Sequence, residues 1–89
     1  MRSFGIEEQL VKDLSKLKKK ANKRYLIIKA KIEEILTVHS VEHYKNLKKP
    51  LQDYKRVHID SSFVLIFSYN AKDDSVRFVK LEHHDTVYR

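Results

Sequence analysis

The spacing of apolar residues changes once along this chain, and that change limits the folds open to it. From Ile6 to His43 they recur at helical spacing; from Leu51 to Leu81 they follow strand spacing. Ile6, Leu10, Leu14 and Leu17 form one stripe. Glu7, Glu8 and Asp13 lie toward its start and Lys16, Lys18, Lys19 and Lys20 toward its end, both suited to the helix dipole. Asn22 reads as the N-cap of a second helix. That helix turns Tyr25, Ile28, Ile32, Ile35 and Leu36 inward and Lys29, Lys31, Glu33 and Glu34 outward. So short a break predicts an antiparallel hairpin.

The second half divides at its turn signals. Pro50 ends a Lys-rich connection, Lys45–Lys49. Leu51–Ile59 then reads as a strand, with Val57 and Ile59 on one face and Tyr54, Arg56 and His58 on the other. Phe63–Tyr69, apolar almost throughout, is a central strand. Asn70–Ser75 is a turn, and Val76–Leu81 returns antiparallel. Arg2–Phe4 adds an edge strand. The expected fold is α+β: an N-terminal antiparallel helical hairpin packed on one face of a three- to four-stranded antiparallel sheet. The other face is left as a working surface. Residues 1–89 form a single domain.

Composition narrows the function. Nineteen Lys and Arg against twelve Asp and Glu give a net charge of +7, which favours polyanionic partners. The plain alternative is a solvated, lysine-rich surface. Without cysteine there is no disulfide, thiolate chemistry or Cys-based zinc site. No apolar run is long enough for a membrane span. Met1–Gly5 lacks the apolar core of a signal peptide, so a cytoplasmic protein is expected. There is neither a glycine-rich phosphate loop nor a serine nucleophile elbow.

Two stretches carry candidate chemistry. Tyr54, Arg56 and His58 project together, and Lys45, Lys48 and Lys49 approach from the preceding connection. Cleaving a phosphodiester needs cations for its non-bridging oxygens, a base for the attacking hydroxyl and an acid for the leaving oxygen. Arg and Lys meet the first need, and imidazoles, which titrate near neutral pH, meet the others. On this strand alone, a polar solvent face accounts for the pattern equally well. The tail, Glu82 to Tyr88, shifts the balance, because two histidines, a valine and an aromatic suit a segment that docks back on the sheet. In an extended chain His83 and His84 face opposite ways and cannot both point into one site; His84 and Tyr88 are the pair placed near His58. His39 and His43 have a zinc-compatible spacing but no third ligand nearby, and no metal or cofactor is expected.

Taken in order, Tyr54-Lys55-Arg56-Val57-His58-Ile59, Phe63-Val64-Leu65-Ile66-Phe67, Arg77-Phe78 and His84-Asp85-Thr86-Val87-Tyr88 resemble the RelE/ParE toxin superfamily. The resemblance is nearest to the YafQ-like branch and spans nearly the whole chain. It implies the toxin of a type II toxin–antitoxin pair, a metal-independent endoribonuclease that cuts mRNA on the ribosome through attack by the 2′-OH. By position, His58 and His84 would share the base and acid roles. Arg56, Lys48 and Lys49 would neutralise the phosphorane, and Phe63 and Tyr88 would stack on or orient the bases. Lys45, Tyr54, Lys55 and Arg77 complete the implied RNA-binding set. Two positions that are acidic in the YafQ pattern are Arg56 and Ser62. Lys45 stands nearest the connection histidine of that pattern, with His43 two residues earlier, and Val64 replaces a RelE arginine. The expected partners are an acidic antitoxin, the ribosome and mRNA, with the toxin alone a monomer. Two other readings share the fold: a ParE-like gyrase poison without RNA chemistry, and an inactive antitoxin-binding homologue.

Overall fold

Ala21, with φ −144° and ψ 65°, interrupts an otherwise continuous helical pattern. It leaves two helices, α1 (Glu8–Lys20) and α2 (Asn22–Thr37). The structure, a computed structural model, describes residues 1–87. Asn22 is therefore the first helical residue, and Ala21 holds the capping position without a side-chain bond. Before α1 lies strand β1 (Ser3–Ile6), which takes Ile6 out of the helical stripe. After α2 come a 3₁₀ turn (Val41–His43) and strands β2 (Lys55–His58), β3 (Phe63–Asn70) and β4 (Ser75–His83), then a helical turn, α3 (His84–Val87).

The sheet order is β1-β4-β3-β2. The β2–β3 and β3–β4 pairs are antiparallel, but β1 runs parallel to β4, so the sheet is mixed and not purely antiparallel as expected. A parallel neighbour needs a long connection, and residues 7–74 supply one. Apolar alternation reports which face a residue takes, not which strand lies beside it. Strand β2 is also shorter than the stretch Leu51–Ile59, because residues before Lys55 turn rather than extend: Leu51 N–H reaches Lys48 O and Tyr54 N–H reaches Leu51 O.

Leu10 of α1 and Ile28, Ile35 and Leu36 of α2 pack on Leu65, Phe67, Val76 and Phe78 of the sheet, all buried. Each such side chain contributes about 1.5–3 kcal/mol of burial. The 38–54 connection closes this core with Val41 and Tyr44. Tyr44 sets its ring edge-on to Phe67 at 5.7 Å and donates its hydroxyl to the Glu34 carboxylate. Arg2 ties the N-terminus to the end of α2. Its guanidinium donates to the carbonyls of Ile35, Val38 and His39, and its Nε lies 2.9 Å from Asp74 Oδ1.

A one-residue irregularity interrupts the β3–β4 ladder. Ile66 pairs with Lys80 but Phe67 with Phe78, so Val79 is an extra residue, a β-bulge. Phe78 consequently faces the core while Lys80, two residues on, faces away from it.

Among the described residues, four carboxylates are held below their ordinary range. Glu7 is lowered by Arg77, and Glu34 by the Tyr44 hydroxyl. Asp60 is lowered by the backbone N–H of Ser62 and then by Arg24, and Asp74 by the Tyr69 hydroxyl and then by Arg2. Their unfolded values lie near about 4, above the folded ones. Each therefore adds stability that is present above that range and lost as pH falls through the folded value. Melting temperature measured against pH should stay level from neutrality to about pH 5 and fall below about pH 4. Asp60→Asn should flatten part of that acid limb.

Candidate active site

Alternation along β2 and the register of the sheet decide which side chains share the face away from the helices. Arg56 pairs with Ile66 and His58 with Val64, and these in turn pair with Lys80 and Glu82. Two rows result, Arg56–Ile66–Lys80 and His58–Val64–Glu82. The Val79 bulge puts the β4 members there, since strict alternation from Val76 and Phe78 would have turned Lys80 and Glu82 into the core. The same shift governs the tail. His83 goes to the helix side, where it meets the Phe63 ring edge-on at 5.5 Å, and His84 goes to the other side.

His84 meets His58 there. The two imidazole centroids are 5.4 Å apart with the rings tilted at 38°. His58 is exposed and His84 half-buried, so both can reach one bound linkage. The turn into α3 is anchored by the His84 N–H, which donates to Ser62 O at 2.7 Å. Asp85 Oδ1 lies 3.8 Å from His84 Nδ1.

The cations divide into near and far. Arg56 is two residues from His58 on the same face. Its N–H donates to Lys45 O, and the adjacent Asn46–Lys55 bridge places Lys45 beside Arg56. Lys80 joins them across the sheet and pairs with Glu82. Lys48 and Lys49 are exposed at the tip of the 47–54 turn, beyond Tyr54. Four residue steps along the chain separate Tyr54 from His58, roughly 13 Å. The two lysines therefore stand apart from the histidine pair. Tyr54 is half-buried where that turn enters β2.

Three candidates fall elsewhere. Lys55 shares the core face with Val57 and Ile59. Its ammonium is buried and donates to Tyr44 O and Asn46 Oδ1, each at 3.0 Å, which makes it an internal pin of the basic connection. Phe63 packs on the helix side against the core, with the Arg24 guanidinium 4.4 Å over its ring, so it is no stacking platform for the histidine face. Arg77 is on the histidine face but on the β1 side of the sheet, where its Nε lies 2.6 Å from Glu7 Oε1. Gly5, its register partner, has no side chain to block that reach; a Cβ there would stand 3.0 Å from Arg77 Nη1. Tyr88 lies outside the described residues.

His39 and His43 share no helix, because α2 ends at Thr37 and His43 belongs to the 3₁₀ turn. Among the described residues no three His, Cys, Asp or Glu side chains converge to hold a metal. No helix among them is long and apolar enough to cross a membrane. Lys80, Glu82 and Asp85 were not among the candidates drawn from sequence. Asp85 adjoins His84 and so was within reach of the tail motif, whereas Lys80 and Glu82 depend on a bulge that alternation does not report.

No protein-family model matches the chain. It is 45% identical over its full 89 residues to a protein of Methanocaldococcus jannaschii named as toxin RelE4, of which the match covers 93%. Its fold matches the YoeB–YefM complex from Staphylococcus aureus with a TM-score of 0.76, at 16% identity over 94% of this chain and 98% of the other. It matches the E. coli DinJ–YafQ toxin–antitoxin complex at 0.72, with 22% identity over 99% and 98% of the two chains. Identities that low speak to fold alone. The full-length likeness to RelE4 carries more: this chain belongs to the RelE family of toxins.

Proposed function

We propose that the chain is the toxin of a toxin–antitoxin pair and that it cleaves mRNA on the ribosome with no metal. The observation that carries this reading is the pairing of His58 with His84 on a face that also bears Arg56, Lys45 and Lys80. One imidazole takes the proton from a ribose 2′-OH, and that oxygen attacks the adjacent phosphorus. The other protonates the departing 5′ oxygen. The products are a 2′,3′-cyclic phosphate and a free 5′-OH, so atoms and charge balance without an added nucleophile. Arg56 and Lys80, with Lys45 beside them, stabilise the charge that builds on the non-bridging oxygens. The net charge of +7 and its cationic face suit an acidic antitoxin and ribosomal RNA alike.

The test compares mRNA on translating ribosomes with the same mRNA free in solution, mapping both ends of any cut. The expected result is cleavage confined to ribosome-bound message, with cyclic-phosphate and 5′-OH ends, unchanged by chelator. Intact message with inhibited DNA supercoiling would replace this reading with that of a gyrase poison. Cleavage that requires a divalent cation would overturn the two-histidine mechanism.

A further inference from the structure

His84 meets His58 only if the chain leaves β4 in one direction, and a second constellation, on the opposite side of the sheet, bears on that exit. Asp60, in the turn between β2 and β3, is its hub. Its Oδ1 accepts the N–H groups of Ser62 and Phe63 at 2.8 and 3.1 Å, and its Oδ2 lies 2.9 Å from Arg24 Nε on α2. Arg24, so held, lays its guanidinium 4.4 Å over the Phe63 ring. Phe63 pairs with His83 across the ladder and holds that imidazole edge-on at 5.5 Å. Ser62 O takes the N–H of the next residue, His84, at 2.7 Å. The turn thus grips both His83 and His84, and the grip is braced from a helix that contributes nothing to the histidine face.

We propose that Arg24 is a positioning residue of the His58–His84 site. Through Phe63 and His83 it fixes the end of β4, so that His84 is delivered to His58. Its effect on turnover rests on the reading of that pair as catalytic; its effect on ring geometry does not. A planar guanidinium can bridge a carboxylate and an aromatic face together, which a lysine ammonium cannot do equally. Misplacing a reacting group by about 1 Å can cost on the order of 100-fold in rate.

The experiment has two arms on the full chain. In the first, contacts between the His58 and His84 ring protons are measured by NMR in the wild type, Arg24→Ala, Arg24→Lys and Phe63→Leu, with Tyr69→Phe as a distant, mildly destabilised control. The contact should be present in the wild type and control, lost in Arg24→Ala and Phe63→Leu, and weakened in Arg24→Lys. In the second, kcat and KM are measured on ribosome-bound message. Arg24→Ala should lose roughly 10- to 100-fold in kcat with KM within about twofold. A raised KM with unchanged kcat, fully restored by lysine, would make Arg24 a simple phosphate-attracting charge and overturn the proposal. So would an undisturbed ring contact in both Arg24→Ala and Phe63→Leu. A wild-type protein that cleaves nothing would defeat the catalytic reading, and the ring contact would still decide the positioning role.

Discussion

Replacing His84 with alanine should lower single-turnover cleavage of ribosome-bound mRNA by roughly 10²- to 10⁴-fold, the range that general acid–base groups supply. His58→Ala should fall in the same range, and the double variant should be little worse than either single one. Groups that act as a unit on one transition state are not additive. The proposed mechanism requires this coupling, because in it rings 5.4 Å apart act on one linkage, one as base and the other as acid. Stability should be nearly untouched, within about 0.5 kcal/mol, since neither ring is part of the buried core. Loss of activity accompanied by unfolding would say nothing of catalysis, so each variant is to be checked by thermal melting. Cleavage by His84→Ala at the wild-type rate would remove the tail from the mechanism.

The second large effect is on folding. Arg2→Ala should destabilise the domain by about 3 kcal/mol, since bonds made by a charged donor contribute about 1.5–3 kcal/mol each but overlap here. For a chain of this length that is a fall in Tm of roughly 12–24 °C. The Arg2 side chain is only 9% exposed, and it meets the carbonyls of Ile35, Val38 and His39 while its Nε holds Asp74. Those carbonyls belong to or follow the last turn of α2, where helix acceptors have no partner of their own. A cation there also meets the negative end of the helix dipole. Arg2→Lys should recover part of the loss, because an ammonium can satisfy some acceptors but not span them. A melting curve unchanged in Arg2→Ala would show that water serves those carbonyls equally well.

How much of this was legible in the sequence follows from what each signal reports. The helical hairpin was legible because Leu10, Ile28, Ile35 and Leu36 are buried at the positions their spacing marks. The meander of β2, β3 and β4 was legible from its turns. The opposite facing of His83 and His84 followed from the geometry of an extended chain, but which of the two meets His58 was set by the Val79 bulge, which alternation does not report. The parallel β1–β4 pairing was not legible, because patterning carries no information on distant neighbours. Lys55 misled because a lysine in a basic stretch reads as surface, although alternation placed it with Val57 and Ile59. Phe63 misled because its family position suggested a ligand role, while its parity aligned it with Leu65 and Phe67 on the helix side.

The bulge at Val79 has a consequence for how such a chain can vary. Residue identity at that position has little to do with the site, so substitutions there are cheap as long as they suit a strand. Length acts there through parity alone. Removing Val79 would set Lys80 directly after Phe78 on a regular ladder and leave Lys80, Glu82 and His84 on the face they now take. Keeping Val79 while flattening the bulge into a regular step would instead exchange His84 for His83 and turn Lys80 and Glu82 to the helix side. Such a chain can shed the extra residue with its tail unchanged, but it cannot keep the residue and lose the bulge.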